Sequence, residues 1–467
     1  MRISAYLSGN LIENILGFIV NTGKSNLEPS QSLIFLGFIV NSQKMLLILP
    51  DHKVLKIKNA CQSLLKQKVA SLSDVAHVTG LLVSAFPAIN YLELYYKSIE
   101  FCKSHLLHLG ASFDDTVTLS DQAKLDLAWV IDNLDQYNGK CLHEMPISLF
   151  IESDASNTGW GAHCNGVATG GPWSRSEIDL HINHLELLAA FYALQSFVPQ
   201  YKSAAHIRLK VDNSTAVACI NNFGSIRSPS LNTLSRTIWD WCISRKIHIS
   251  AVSIPGVDNT VADVMSRQNS DKLEWALNCS VFQRLSSLVF KPDIDLFASR
   301  LNKQLPVFIS WHPEPNCYAV DAFSTLWTPF KCYAFPPFCL IPRVLEKMER
   351  EHVDQFLLIA PVWPTQSWYP LLLRTSYRTP ILLPQDPQLL HLAHSNKLHP
   401  LHDRLQLAAW ILSANSCRQV DFRHRLLNSS VPHGPKGLRN STSLYGRLGV
   451  AGVIRGTSIP FRVMQSI

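Results

Sequence analysis

Hydrophobic and polar positions follow two different periods along this chain, and the change from one to the other divides it. "LGFIVN" occurs twice, at Leu16–Asn21 and Leu36–Asn41. Each run is apolar and β-branched and predicts a strand, with "TGKSNLEPSQS" as the turn-rich connection. Nothing else repeats, so two strands account for the pair without a duplicated unit. From Asp51 to about Cys141 the period lengthens. Val54, Ile57, Cys61, Leu64 and Leu65 recur at helical spacing in "KVLKIKNACQSLLKQK", with lysines on the other faces. "SLSDVAHVTGLLVSAF", in which Ser71 and Asp74 are spaced as a capping box, and "SDQAKLDLAWVIDNL" predict further helices. The lysine-rich face suits solvent, and also a nucleic-acid backbone.

Residues 146–270 read as strands first, then strands alternating with helices. "ISLFIESDAS" predicts a strand, and Asn165-Gly166 a hairpin turn between "WGAHC" and "VATGGPW". Helix "NHLELLAAFYALQSFV", strand "HIRLKVDN" and short helix "STAVACINNF" follow. Helix "LSRTIWDWCISRK", strand "IHISAVSIPG" and helix "NTVADVMSR" complete the series. This is a three-stranded meander extended by two crossover units, an α/β layer fold. Beyond residue 291 the chain is rich in Pro and aromatics. From Val431 it is rich in Gly, Ser and Arg with weak periodicity, which predicts a poorly ordered tail over 431–467.

Composition narrows the picture. The 467 residues allow two to four domains. A hydrophobic share of 47% against 16% charged excludes disorder as the dominant state. The net charge of +7 suits a polyanionic partner without establishing one. Eleven cysteines form no C-x-x-C pair, and the closest two, Cys332 and Cys339, lack zinc-ligand spacing. That pattern predicts reduced, intracellular thiols. Asn10, Glu13 and Asn14 interrupt the N-terminal apolar run, and no run reaches the roughly 18 residues a span needs, so neither a secretory signal nor a membrane partner is expected. No basic localisation cluster decides between cytoplasm and nucleus.

Four carboxylates sit at element ends within 146–270. Asp154 follows the first strand, Asp212 ends "RLKVD", Glu186 lies in the first turn of a helix, and Asp263 lies inside the last one. Each has a plain structural explanation. Asp154 could form an Asx-turn, Glu186 could close a capping box with Asn183, Asp212 could cap the next helix, and Asp263 could face solvent. Together they read differently. Asp154 and Asp212 would stand at the carboxyl ends of neighbouring strands, where open α/β sheets place their sites. Glu186 shares a helix face with Ala190, Ala193 and Phe197, so it points along the apolar stripe. Carboxylates converging without cysteine or a histidine cluster favour hard Mg2+ or Mn2+. Two such ions can activate a water and stabilise a leaving oxygen in phosphodiester cleavage. "HINH", with His181 and His184, lacks further ligands for zinc.

"SDASNTGWGA", "HINHLELLAAFYAL", "LKVDNSTAVACIN" and "IPGVDNTVADVMSRQ" together resemble the ribonuclease H domain of retroelement reverse transcriptases, in particular DIRS-type, gypsy-related elements. The resemblance implies a ribonuclease H-like domain over 146–270, with a mixed five-stranded sheet and flanking helices. It further implies that Asp154, Glu186, Asp212 and Asp263 are the catalytic, metal-binding carboxylates for two Mg2+ or Mn2+ ions. The implied activity is endonucleolytic cleavage of the RNA strand of an RNA–DNA hybrid. Ser253 stands where many relatives carry His or Tyr before "IPG".

The flanks extend the resemblance. Residues 1–50, with "FLGF", resemble the end of a reverse-transcriptase palm, and 51–145 a thumb and connection. The polymerase aromatic-x-Asp-Asp motif would lie upstream, and Asp114-Asp115 stands in the wrong segment, so no DNA synthesis by this chain is expected. Residues 291–430 resemble the adenine-methylase-like segment of these elements. There "DIDLFAS" would adjoin an S-adenosylmethionine site, and "AFPPF" stands in place of Asp/Asn-Pro-Pro-aromatic. Phe335 cannot hydrogen-bond a target amine as that motif's first side chain does. The expectation is a multidomain α/β chain, a truncated element polyprotein acting as a ribonuclease H, with RNA–DNA hybrid and other element proteins as partners. The alternatives are a remnant that binds nucleic acid without cutting it and, disfavoured by Phe335, an adenine methylase.

Overall fold

The computed structural model describes residues 31–198, 205–268, 275–392, 395–429 and 449–464, with isolated positions before 31. The chain is a mixed α/β multidomain protein that divides into two compact units. One comprises 1–149, 203–208 and 214–252; the other comprises 150–202, 209–213 and 253–467.

The first unit opens on strands β1 (Ser32–Phe35), β2 (Phe38–Asn41) and β3 (Leu46–Ile48). Leu36 and Gly37 both have positive φ, 49° and 82°, the backbone of a two-residue hairpin turn. The strand expected at Leu36–Asn41 therefore begins only at Phe38, and its partner is Ser32–Phe35. Part of the earlier "LGFIVN", at Leu16–Asn21, lies outside the described residues. Helices α1 (Asp51–Lys66), α2 (Leu72–Ala85), α3 (Leu92–His108) and α4 (Asp121–Asn133) follow. Ser71 and Ser120 cap α2 and α4 by accepting the N–H groups of Asp74 and Ala123. Helix α3 lays Leu92, Tyr95, Tyr96, Ile99, Cys102 and Leu106 along the core, with the acidic Glu100 at the edge of that stripe. Glu100 is buried nonetheless, held by Lys103 at 2.9 Å and the Ser104 hydroxyl at 2.7 Å.

Strands β4 (Ile147–Ala155), β5 (Gly159–Cys164), β6 (Val167–Pro172), β7 (Ala205–Val211) and β8 (Ile247–Ser253) form one sheet in the order β8-β7-β4-β5-β6. The meander β4-β5-β6 is antiparallel. Asn165 and Gly166, at φ 48° and 81°, make the hairpin turn that their sequence predicts. Helices α5 (Ile182–Phe197), α6 (Ser214–Asn221), α7 (Pro229–Ile243) and α8 (Thr260–Arg267) complete this part. His181, not Asn183, caps α5: its ring nitrogen accepts the Asn183 N–H. Glu186 is thereby left out of any capping box.

In the second unit, α8 packs directly on the meander. Gly161 and Gly170 are register partners on β5 and β6. A Cβ on Gly161 would lie 2.1 Å from the Ala262 carbonyl oxygen and 2.5 Å from the Ser266 nitrogen. Only bare backbone permits that approach.

The rest of the second unit is built on a six-stranded sheet. It comprises β9 (Ile294–Asp295), β10 (Cys332–Ala334), β11 (Phe356–Pro361), β12 (Ile381–Leu382), β13 (Leu407–Leu412) and Arg462–Val463, in the order β9-β10-β11-β13-β12 and then Arg462–Val463. Of the span 431–467, expected as a poorly ordered tail, residues 449–464 are described, and they are ordered. Residues 450–454 and 457–460 form a hairpin, and 462–463 pair in parallel with β12. Ala451, Ile459 and Phe461 enter the same core as Trp327, Phe356 and Trp410, and the Tyr369 hydroxyl donates to the Ala451 carbonyl. Sparse apolar residues suffice because a finished core receives them. Residues 430–448 lie outside the described residues.

This segment meets β6 and α5 at several points: the Thr169 hydroxyl donates to the Pro313 carbonyl, Asn316 Nδ2 donates to Gln195 Oε1 at 3.2 Å, and one guanidinium makes four further bonds. Arg300 donates to both Glu177 oxygens at 2.8 and 3.1 Å, to the Pro172 carbonyl at 2.9 Å and to the Tyr192 hydroxyl at 3.1 Å. Its carbon also lies 4.6 Å over the Tyr192 ring.

Candidate metal centre

Three of the four carboxylates converge. Asp154 comes from the end of β4, Glu186 from α5, and Asp212 from the residue after β7. One oxygen of each lies within 4.8 Å of the others. Asp154 and Glu186 are buried while Asp212 is exposed, so the cluster is closed on one side and open on the other.

The electrostatics are those of a site short of positive charge. Burial pushes the Asp154 carboxyl up to about 6; the Ser266 hydroxyl opposes this, and the charges of Asp212 and Asp263 add to it. Glu186 is pushed up to about 9, first by burial and then by Asp154 and Asp212, against one favourable bond from the Ala155 N–H. Glu186 Oε2 is buried and has no hydrogen-bond partner. A carboxylate so placed is costly to ionise unless a cation joins it. Three hard oxygen donors with one buried orphan fit a divalent cation of the Mg2+ or Mn2+ kind. Among the described residues no other group of His, Cys, Asp or Glu converges in this way, and His181 serves as a helix cap.

Asp263 stands apart from the three. Its Oδ1 is held by Arg267, four residues on, at 2.8 Å from Nε and 2.6 Å from Nη2. Helix α8 is nonetheless fastened beside Asp154. Asn259, buried at its N-terminus, donates from Nδ2 to the Ser153 carbonyl at 2.9 Å. Near its C-terminus the Ser266 hydroxyl lies 2.7 Å from Asp154 Oδ2. Neither residue stands out in the sequence as a ligand type for a hard cation. The spacing Asp263–Ser266–Arg267 was the available signal, since it places Asp263 and Ser266 on one helical face.

Two other stretches singled out by sequence lie elsewhere. Asp115 Oδ2 accepts the Ser112 N–H at 2.7 Å, so the Asp114-Asp115 pair belongs to a turn. A cavity of about 420 Å3 lies between Leu296–Ala298 and Phe335–Phe338, walled also by Trp275 and Trp311. Phe335 faces Phe338 there at 6.3 Å between ring centres and offers no acceptor to an amine. Asp295, in "DIDLFAS", is buried and accepts the backbone N–H groups of Gln304 and Phe297. Among the described residues no helix is long and apolar enough to cross a membrane.

No family model and no curated protein matches the chain. Solved structures similar to it include the foamy viral protease-reverse transcriptase dRH in complex with double-stranded DNA, at 15% identity and a TM-score of 0.25, covering 53% of this chain and 42% of that one. The foamy viral protease-reverse transcriptase in complex with RNA/DNA hybrid is similar at 15% identity and a TM-score of 0.26, over 54% of this chain and 33% of that one. The chain thus spans less than half the length of these solved chains.

Proposed function

We propose that this chain is a metal-dependent ribonuclease H that cleaves the RNA strand of RNA–DNA hybrids within a retroelement reverse-transcriptase polyprotein. One observation carries the reading: Asp154, Glu186 and Asp212 bring their oxygens together from three separate elements, with Glu186 Oε2 buried and unpartnered. Asp154, Glu186 and Asp212 would hold a divalent cation, Mg2+ or Mn2+, and Asp263 would complete a second site. When bound, the cations supply Lewis acidity to the attacking water and the leaving oxygen of the phosphodiester. The chain contributes position. β4 and β7 deliver two carboxylates at adjacent strand ends, α5 supplies the third from the apolar side, and the exposed edge at Asp212 admits the polyanionic backbone. Residues 1–50 and 51–145 are proposed as the palm end and thumb, and 291–430 as the methylase-like segment.

The test is cleavage of labelled RNA–DNA hybrid with Mg2+ by wild type and Asp212→Asn. Metal-dependent cleavage abolished in the variant supports the reading, and equal or absent cleavage in both overturns it. A binding-only remnant is favoured by one observation, the capture of Asp263 by Arg267; hybrid retained without cleavage is its signature.

A further inference from the structure

The hydroxyl of Ser266 has one proton and two acceptors within reach. Asp154 Oδ2 lies at 2.7 Å and the carbonyl of Asp263 at 2.8 Å. Ser266 is fully buried, and so is nearly all of Asp154, so water does not substitute for that donor. The position is enforced from three sides. The Ser156 hydroxyl donates to the Ser266 carbonyl at 2.7 Å, Asn259 ties the other end of α8 to β4, and Gly161 brings the Ser266 backbone against β5. An ionised Asp154 is the stronger acceptor of the two, because hydrogen bonds to charged groups are shorter and stronger. The donated bond fixes which carboxylate oxygen of Asp154 faces the helix.

Resting on the metal-centre reading above, we propose that Ser266 is a positioning residue for the candidate metal centre: it donates to Asp154 Oδ2, orients the carboxylate for the cation, and couples the docking of α8 to metal affinity. Groups of this kind, one bond removed from a metal, typically change affinity 10–100-fold when removed.

The test uses the full chain and Mn2+ binding by calorimetry, alongside the Mn2+ dependence of hybrid cleavage. Ser266→Ala is expected to weaken Mn2+ binding about tenfold and to shift half-maximal cleavage to correspondingly higher Mn2+, with the rate at saturating metal less affected. Ser156→Ala removes a neighbouring clip on the same helix without touching the carboxylate. It is expected to lower the unfolding temperature and to weaken Mn2+ binding less than Ser266→Ala does. Ser266→Cys, similar in size with a weaker donor, falls between wild type and alanine and serves if the alanine variant does not fold. Unchanged Mn2+ affinity in Ser266→Ala, or equal weakening in Ser156→Ala, overturns the proposal while leaving the ribonuclease reading intact. Wild type that binds Mn2+ but cuts no hybrid sinks the ribonuclease reading and leaves this one standing. Wild type that binds no Mn2+ removes both.

Discussion

Gly161 lies so close beneath Ala262 that a Cβ on the glycine would sit 2.1 Å from the alanine carbonyl oxygen. The obstacle is backbone, which no rotamer change relieves. Gly161→Ala therefore has to lift α8 from the meander, at about 3 kcal/mol, the upper end of ordinary overpacking. Urea unfolding should show that loss. Because α8 carries Ser266 and Asp263, Mn2+ affinity should fall with it. A variant as stable as wild type would mean that the helix does not rest on this strand.

Glu186 gives a prediction in pH. Its folded carboxyl is raised to about 9, so the folded state keeps a proton that the unfolded chain loses above about 4.3. Stability from this group is complete below the lower value and is lost as pH rises toward the upper one. Glutamine suffers no such loss. In metal-free buffer Glu186→Gln should match wild type near pH 4 and exceed it by on the order of 2–3 kcal/mol at pH 7. Denaturation midpoints at the two pH values check this, and added Mn2+ should shrink the gain at pH 7.

Arg300 joins Glu177, Pro172 and Tyr192 with both partner side chains only 14% exposed in the ion pair. Arg300→Ala leaves a mostly buried carboxylate without its counter-charge, held only by the Tyr192 hydroxyl and the Ser174 N–H, and should cost about 2–4 kcal/mol. Arg300→Lys keeps the charge but not the two-pronged geometry, and should recover only part of the loss. Thermal unfolding of the three proteins decides it; a silent alanine variant would show the latch to be incidental.

Arg267 is the opposite case. Its side chain is 68% exposed, so its bond to Asp263 contributes little to folding. Arg267→Ala should leave the unfolding midpoint unchanged while releasing Asp263. Cleavage should then reach half its maximum at lower Mn2+. A shift to higher Mn2+ would assign Arg267 a supporting role instead.

Much of this was legible along the chain. The order of strands and helices over 147–267 follows from local signals: alternation, helical spacing, and Asn165-Gly166. Convergence was partly legible, since strand ends and an apolar-facing glutamate pointed to Asp154, Asp212 and Glu186. Asp263 shared their motif but is turned toward Arg267, a local i,i+4 pairing that the motif does not encode. The ordered hairpin at 450–460 escaped notice because its few apolar residues, Ala451 and Ile459 among them, acquire meaning only inside a core made by distant segments.

Over 147–267 local sequence alone sets the order of strands and helices and places Asp154, Glu186 and Asp212 near element ends and Asp263 within the last helix, because those outcomes depend on interactions a few residues long. Tertiary structure alone decided that a serine on α8 would reach Asp154 across 112 positions and that two paired glycines would let the helix come that near. It also decided that one Glu186 oxygen would be buried without a partner. Burial and charge repulsion are set by what surrounds a carboxylate in space, and that neighbourhood exists only once the chain has folded.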